Sequence, residues 1–253
     1  VTALAFSCDT YFYALSTEIG IDNIANMARQ LGLGQKYDFD LSPESAGLIP
    51  DRNWKLANYG RDWQPGETIV SSIGQGSLQA TPLQLAVMTA RLVNGGKAVK
   101  PWMCGYIGQQ DKALEHQWPS LGLNNEHLAL VLKGMDTVVN SNLGTAYDAR
   151  IKDPAYTMGG KTGTAQVQRI TKLQRSTGVQ NEDLPWKQRH HALFVGYAPL
   201  NNPRYVTSVV VEHGVGGSRT AAPIARDLLL EVQKRDPAKS QIYAGGFTNK
   251  EPV

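Results

Sequence analysis

Lys161-Thr162-Gly163-Thr164-Ala165-Gln166 decides how the rest of this chain is read. On a β-strand alternate side chains share a face, so Lys161 and Gly163 lie on one side. A glycine there leaves room for a ligand along the strand edge. The backbone groups of that edge can then pair with an extended peptide as an added strand would. The lysine sets a positive charge beside the anchored group. Three such residues also recur by chance, and the bland alternative is a strand with a surface lysine. The flanking sequence decides between the two.

Working outward, residues 161–168, 191–198 (HALFVGYA) and 205–212 (YVTSVVVE) carry strand patterns. Residues 199–204, with Asn201-Asn202-Pro203, form the turn of an antiparallel hairpin. A glycine-rich link at 214–217 leads into a helix over about 221–233, expected to pack on the sheet through Ile224, Leu228 and Leu229. Upstream the period changes to that of helices. Residues 22–33 carry Ile24, Ala25, Ala28 and Leu31 at helical spacing and stop at Gly32 and Gly34. Thr81-Pro82 is a hydroxyl cap followed by proline at the first helical position, starting a helix to about Val93. Residues 125–139 place Leu128, Val131, Leu132, Met135 and Val138 on one helical face. Residues 35–79, rich in Gly, Pro, Asp and Asn, read as a loop region packed by Trp54, Tyr59 and Trp63. Residues 169–189, with Arg169, Lys172, Arg175, Lys187 and Arg189, read as a solvated loop, and residues after Pro237 as a tail.

A second mark lies near the start, Ser7-Cys8-Asp9, an S-x-N-like triplet with Asp9 at its third position. With Lys-Thr-Gly downstream, it makes the chain resemble the class B penicillin-binding proteins. Longer stretches carry the same resemblance: Gly20-Ile21-Asp22, Trp63-Gln64-Pro65-Gly66-Glu67-Thr68, Ile73-Gly74-Gln75-Gly76, Ala80-Thr81-Pro82-Leu83-Gln84-Leu85-Ala86 and Gly144-Thr145-Ala146. It spans about 7–233. The Ser-Cys-Asp version and the tryptophan-rich segment look like the elongation-specific branch.

The resemblance implies an α+β penicillin-binding transpeptidase (serine β-lactamase-like) fold, an antiparallel sheet with helices on both faces plus a helical subdomain. Residues 1–236 would be the C-terminal part of that domain, with 1–150 mainly helical, 151–236 holding strands and the last helix, and 237–253 a tail. Three of the family's five strands can be placed. The family's nucleophile is the serine of S-x-x-K, and no serine here is followed by lysine three residues later. The N-terminal portion is therefore expected to be missing, together with a membrane anchor at the periplasmic face of the bacterial inner membrane. The implied reaction is D,D-transpeptidation of peptidoglycan stem peptides ending in D-Ala-D-Ala, through a serine acyl-enzyme that β-lactam antibiotics trap. A membrane glycan polymerase and other elongation proteins are the implied partners. Ser7 would relay a proton toward the leaving nitrogen, Lys161 would hold that relay charged, and Asp9 would hold the absent lysine or contact substrate. Thr162 and Thr164 would offer hydroxyls to the substrate carboxylate, Gly163 would leave it room, and the Thr164 N–H would serve the oxyanion hole. The competing readings are a non-catalytic scaffold and another penicillin-recognising acylase, such as a β-lactamase or a sensor.

Composition narrows the remaining classes. Among 253 residues 42% are hydrophobic and 19% charged, an ordinary globular balance. A net charge of +3 without a clustered basic stripe argues against a nucleic-acid surface. No run of about 18 apolar residues occurs. The two cysteines, Cys8 and Cys104, have no zinc spacing, and no cofactor is expected. Cys8 reads as a buried, inert thiol. His190 and His191 read as structural, His213 has no catalytic role, and Arg219 is a weak candidate for a carboxylate contact.

Overall fold

The β-forming run HALFVGYA alternates between two faces: Ala192, Phe194, Gly196 and Ala198 become buried, while His191, Leu193 and Val195 are half-buried. The computed structural model describes residues 1–38, 43–102, 106–107, 110–111, 118–168, 176, 178 and 180–236, with backbone only for 106–107 and 110–111. In it β4 (His191–Ala198) lies between β3 (Gly159–Ala165) and β5 (Tyr205–Val211), all antiparallel. The register pairs Lys161 with Val195, Gly163 with Leu193, and Phe194 with Val209. A two-residue hairpin, β1 (Tyr106–Ile107) with β2 (Gln110–Asp111), stands apart from this sheet.

The helices are α1 (Thr2–Ala5), α2 (Asp9–Ile19), α3 (Ile21–Gln30), α4 (Arg52–Tyr59), α5 (Pro65–Ser72), α6 (Pro82–Val93), α7 (Asn125–Asn140) and α8 (Ala222–Arg235). They cover both faces of the sheet, so the α+β fold expected from the sequence is observed. On one face α8 packs against β4 and β5. Ala192, Phe194 and Ala198 meet Ala222, Ala225 and Leu229 there, all essentially inaccessible. On the other face α6 covers β4 and β5 while α7 covers β3. The Tyr197 hydroxyl reaches back to the Leu132 carbonyl of α7 at 3.4 Å. Gly160 is required where β3 crosses the core: a Cβ there would lie 2.3 Å from the Phe194 ring and 2.6 Å from the Val195 carbonyl oxygen.

Three expectations are corrected. First, α8 does not pack through Ile224 and Leu228, which are 43% and 54% exposed; Leu229 alone of the three is buried. The buried stripe is Ala222, Ala225, Leu229 and Gln233, and a π-helical turn, Gly217–Ala221, leads into the helix. Second, the presumed loop 35–79 contains α4 and α5. Each is eight residues long and has a cap: Asp51 accepts the Trp54 N–H at 2.7 Å, and Gln64 with Glu67 forms a capping box around Pro65. Trp54 and Trp63 are half-buried there, but Tyr59 is 62% exposed. Third, Cys8 is only partly buried, because it caps α2 at a turn open to solvent. Its thiol lies 3.3 Å from the Thr10 hydroxyl, which draws its pKa below the ordinary value, aided by the Tyr11 N–H.

The other expected elements appear with small shifts of boundary. The helix at Thr81-Pro82 has a full capping box in which Gln84 answers Thr81. Gln84 is buried, and its amide also donates to the carbonyls of Gln35 and Ala46, tying the preceding loop to α6. Cys104, Lys172 and the other basic residues of 169–175, and the tail 237–253, lie outside the described residues. Within 180–189 the chain makes two short 3-10 turns, Asn181–Asp183 and Trp186–Gln188.

Candidate active site

Ser7 follows α1 in the left-handed region, with φ 50°, and directly precedes Cys8, the cap of α2. α1 fixes its position by packing on α7. A Cβ at Gly134 of α7 would lie 2.6 Å from Leu4, and the Thr145 N–H, just after α7, donates to Ala5. Because α7 also lies on β3, the turn carrying Ser7 is held against the strand carrying Lys161. The Lys161 ammonium donates to Ser7 Oγ at 2.5 Å across 154 positions of sequence. It also donates to the Thr162 carbonyl at 2.9 Å.

The pair sits in the wall of a cleft of about 800 Å³. Asp9, Thr162, Gly163 and Thr164 line the same cleft, so all six sequence-predicted site residues meet there. β3 is an edge strand of the sheet, and the cleft runs along it. The Thr164 carbonyl faces the cleft and accepts the Gln75 amide at 2.8 Å. In an antiparallel ladder the N–H and C=O of one residue face the same side; the Thr164 N–H therefore faces the cleft too. Gly217 crosses this strand closely: a Cβ there would lie 2.3 Å from the Leu193 carbonyl oxygen and 2.6 Å from that of Gly163.

Burial lowers the Lys161 pKa to about 8, and the Asp9 carboxylate opposes that shift. The folded value lies below the ordinary 10.5, so the unfolded chain holds this proton more tightly. Below about pH 8 both states carry the charge and the burial penalty is fully present. Stability from this group therefore rises with pH from about 8 to about 10.5. Two results are expected from NMR titration of the lysine side chains. Lys161 should titrate near pH 8, and Asp9→Asn should move that value lower still, because the opposing attraction is gone. An unchanged or higher value in Asp9→Asn would separate Asp9 from Lys161.

Two residues of the cleft were quoted in the sequence without a role. Thr145 Oγ1 lies 3.2 Å from Thr162 Oγ1 and so orients that hydroxyl. Gln75, in the turn after α5, reaches the edge of β3. Both sit in the conspicuous stretches Gly144-Thr145-Ala146 and Ile73-Gly74-Gln75-Gly76, which was the only available signal. His190 also lines the cleft; it is buried, and its Nδ1 accepts the Val167 N–H at 3.3 Å. Nδ1 of His191 accepts the His213 N–H at 2.9 Å. Arg219 pairs with Glu182 at 2.5 Å, both exposed. Among the described residues no group of three or more His, Cys, Asp or Glu could hold a metal ion.

A serine hydroxyl bonded to a partly desolvated lysine thus lies beside the edge strand β3 in the wall of the cleft. Residues 1–230 match the penicillin binding protein transpeptidase domain, and the chain belongs to that family. It is 37% identical over 255 residues to the peptidoglycan D,D-transpeptidase MrdA of Acinetobacter baumannii, covering 97% of this chain and 37% of that protein. Among solved structures it is similar to Pseudomonas aeruginosa PBP2 in complex with WCK 5153, with TM-score 0.77 and 38% identity over 91% of this chain and 48% of that one. It is also similar to Helicobacter pylori PBP2 in complex with MreC, with TM-score 0.78 and 31% identity over 92% of this chain and 40% of that one. The resemblance to class B penicillin-binding proteins, and within them to penicillin-binding protein 2, is borne out. The chain spans about 37% of the length of the first of these relatives.

Proposed function

We propose that this chain forms one wall of the active site of a peptidoglycan D,D-transpeptidase acting in cell-wall elongation. The observation that supports it most is the 2.5 Å contact between Ser7 Oγ and Lys161 Nζ in the wall of the cleft. In this reading the serine of an upstream S-x-x-K attacks the D-Ala-D-Ala carbonyl of a stem peptide. The Thr164 N–H helps to hold the developing oxyanion. Ser7 passes a proton to the leaving D-alanine nitrogen, and Lys161 keeps that relay polarised. An amine of a neighbouring stem peptide then resolves the acyl-enzyme. Thr162 and Thr164 offer hydroxyls to the terminal carboxylate, and Asp9 holds the upstream lysine or touches substrate. β-Lactams enter by the same route and leave a stable acyl-enzyme.

The intact protein would work at the periplasmic face of the inner membrane, alongside a glycan polymerase and elongation proteins. One structural relative is seen with MreC, which supports a partner of that kind. No helix among the described residues is long and apolar enough to cross a membrane.

Mass spectrometry after exposure to a fluorescent penicillin tests the assignment. The 253-residue chain alone should gain no adduct, while the complete gene product should gain one, on the S-x-x-K serine. An adduct on any serine of this chain would overturn the assignment of the nucleophile. An unlabelled complete protein would overturn the transpeptidase reading.

A further inference from the structure

The outer edge of β3 is already occupied in this structure, by a side chain. The Gln75 carboxamide donates to the Thr164 carbonyl at 2.8 Å and accepts the Gln166 N–H at 3.4 Å. A residue of an added β-strand presents the same pair of groups, one N–H and one C=O, to the same kind of edge. Gln75 therefore satisfies the strand edge as the backbone of a bound peptide would. Its setting allows it to leave. It lies between Gly74 and Gly76, both at φ 77°, in a turn where a Cβ on Gly74 would meet nothing within 4 Å. The turn is tied to the end of α5 by two backbone bonds, Gly74 to Ser71 at 3.0 Å and Gln75 to Val70 at 3.2 Å.

We propose that Gln75 is a specificity-determining residue of the peptide site: its amide stands in for the N–H and C=O of one substrate residue, and an acyl donor binds by displacing it. This rests on the transpeptidase reading above. The consequence is selectivity for ligands that offer both a donor and an acceptor to the edge of β3. A ligand that cannot replace both bonds leaves Thr164 or Gln166 without its partner and binds less well.

The test uses the complete protein and a fluorescent penicillin, with the non-covalent dissociation constant and the limiting acylation rate resolved by stopped flow. Gln75→Met keeps length and bulk without donor or acceptor, and Gln75→Ala removes the side chain. Both should acylate roughly three- to tenfold faster at low probe concentration, the order expected from releasing two ordinary solvent-accessible hydrogen bonds. The gain should fall on the dissociation constant. A residue that merely braces the turn would give the opposite result, slower acylation with a lower melting temperature. Variants at or below the wild-type rate, with the wild type labelled, sink the Gln75 inference alone. An unlabelled wild type sinks the transpeptidase reading and this inference with it.

Discussion

Replacing Lys161 by Ala in the complete protein should slow acylation by a penicillin about 10²–10³-fold, the usual loss when one transition-state electrostatic contact is removed. The substitution deletes the ammonium that bonds Ser7 Oγ and the Thr162 carbonyl. In the proposed mechanism this leaves Ser7 without a charged partner when its proton moves. Lys161→Arg should not restore the rate. A guanidinium stays protonated and presents a planar fork, whereas the Lys161 ammonium is held near a pKa of about 8. Lys152→Ala, on an exposed position outside the residues lining the cleft, serves as the control and should match wild type. Acylation by Lys161→Ala at the control rate would remove Lys161 from the site.

The largest stability effect should come from Phe194→Ala, expected to cost about 3–5 kcal/mol in unfolding of the transpeptidase domain. Phe194 is 0% exposed and its ring fills the space over Gly160 and Gly196, beneath α8. A Cβ at Gly160 or Gly196 would lie 2.3 or 2.8 Å from the ring, so its removal opens a cavity in the core. Val210→Ala, at a position 37% exposed on β5, should change stability by no more than about 0.5 kcal/mol. Denaturant titration of the two variants beside wild type makes the comparison. A Phe194→Ala loss below about 1 kcal/mol would mean that the core is not centred between the sheet and α8.

Much of this was legible before any coordinates. The period-2 runs around Phe194 and Val209 marked two strands, and Lys-Thr-Gly marked the third. Thr81-Pro82 marked a helix start to the residue. The short α4 and α5 were missed because they bury too little to show a period; α4 has no buried residue. Their caps at Asp51 and Gln64 were readable but stood in a stretch whose glycines and prolines suggested loop. The phase of α8 was misjudged for a related reason. Its apolar residues are more numerous than its buried ones, and only its packing against β4 and β5 decides which stripe faces the sheet.

The sequence by itself determined the three strands of the main sheet, several of the helices and the chemical identity of the six candidate site residues, because periodicity, caps and short motifs are local. It did not bring Ser7 to Lys161, because nothing local spans the 154 positions between them. That meeting depends on α1 packing on α7 and α7 on β3, a sum of burial terms over residues distant in the chain. The tertiary structure alone decided that burial there lowers the Lys161 pKa to about 8. It also decided that Gln75, from a turn 89 positions upstream of Thr164, closes the strand edge. Desolvation and edge pairing are properties of the surroundings that the fold assembles, and no single stretch of the chain carries them.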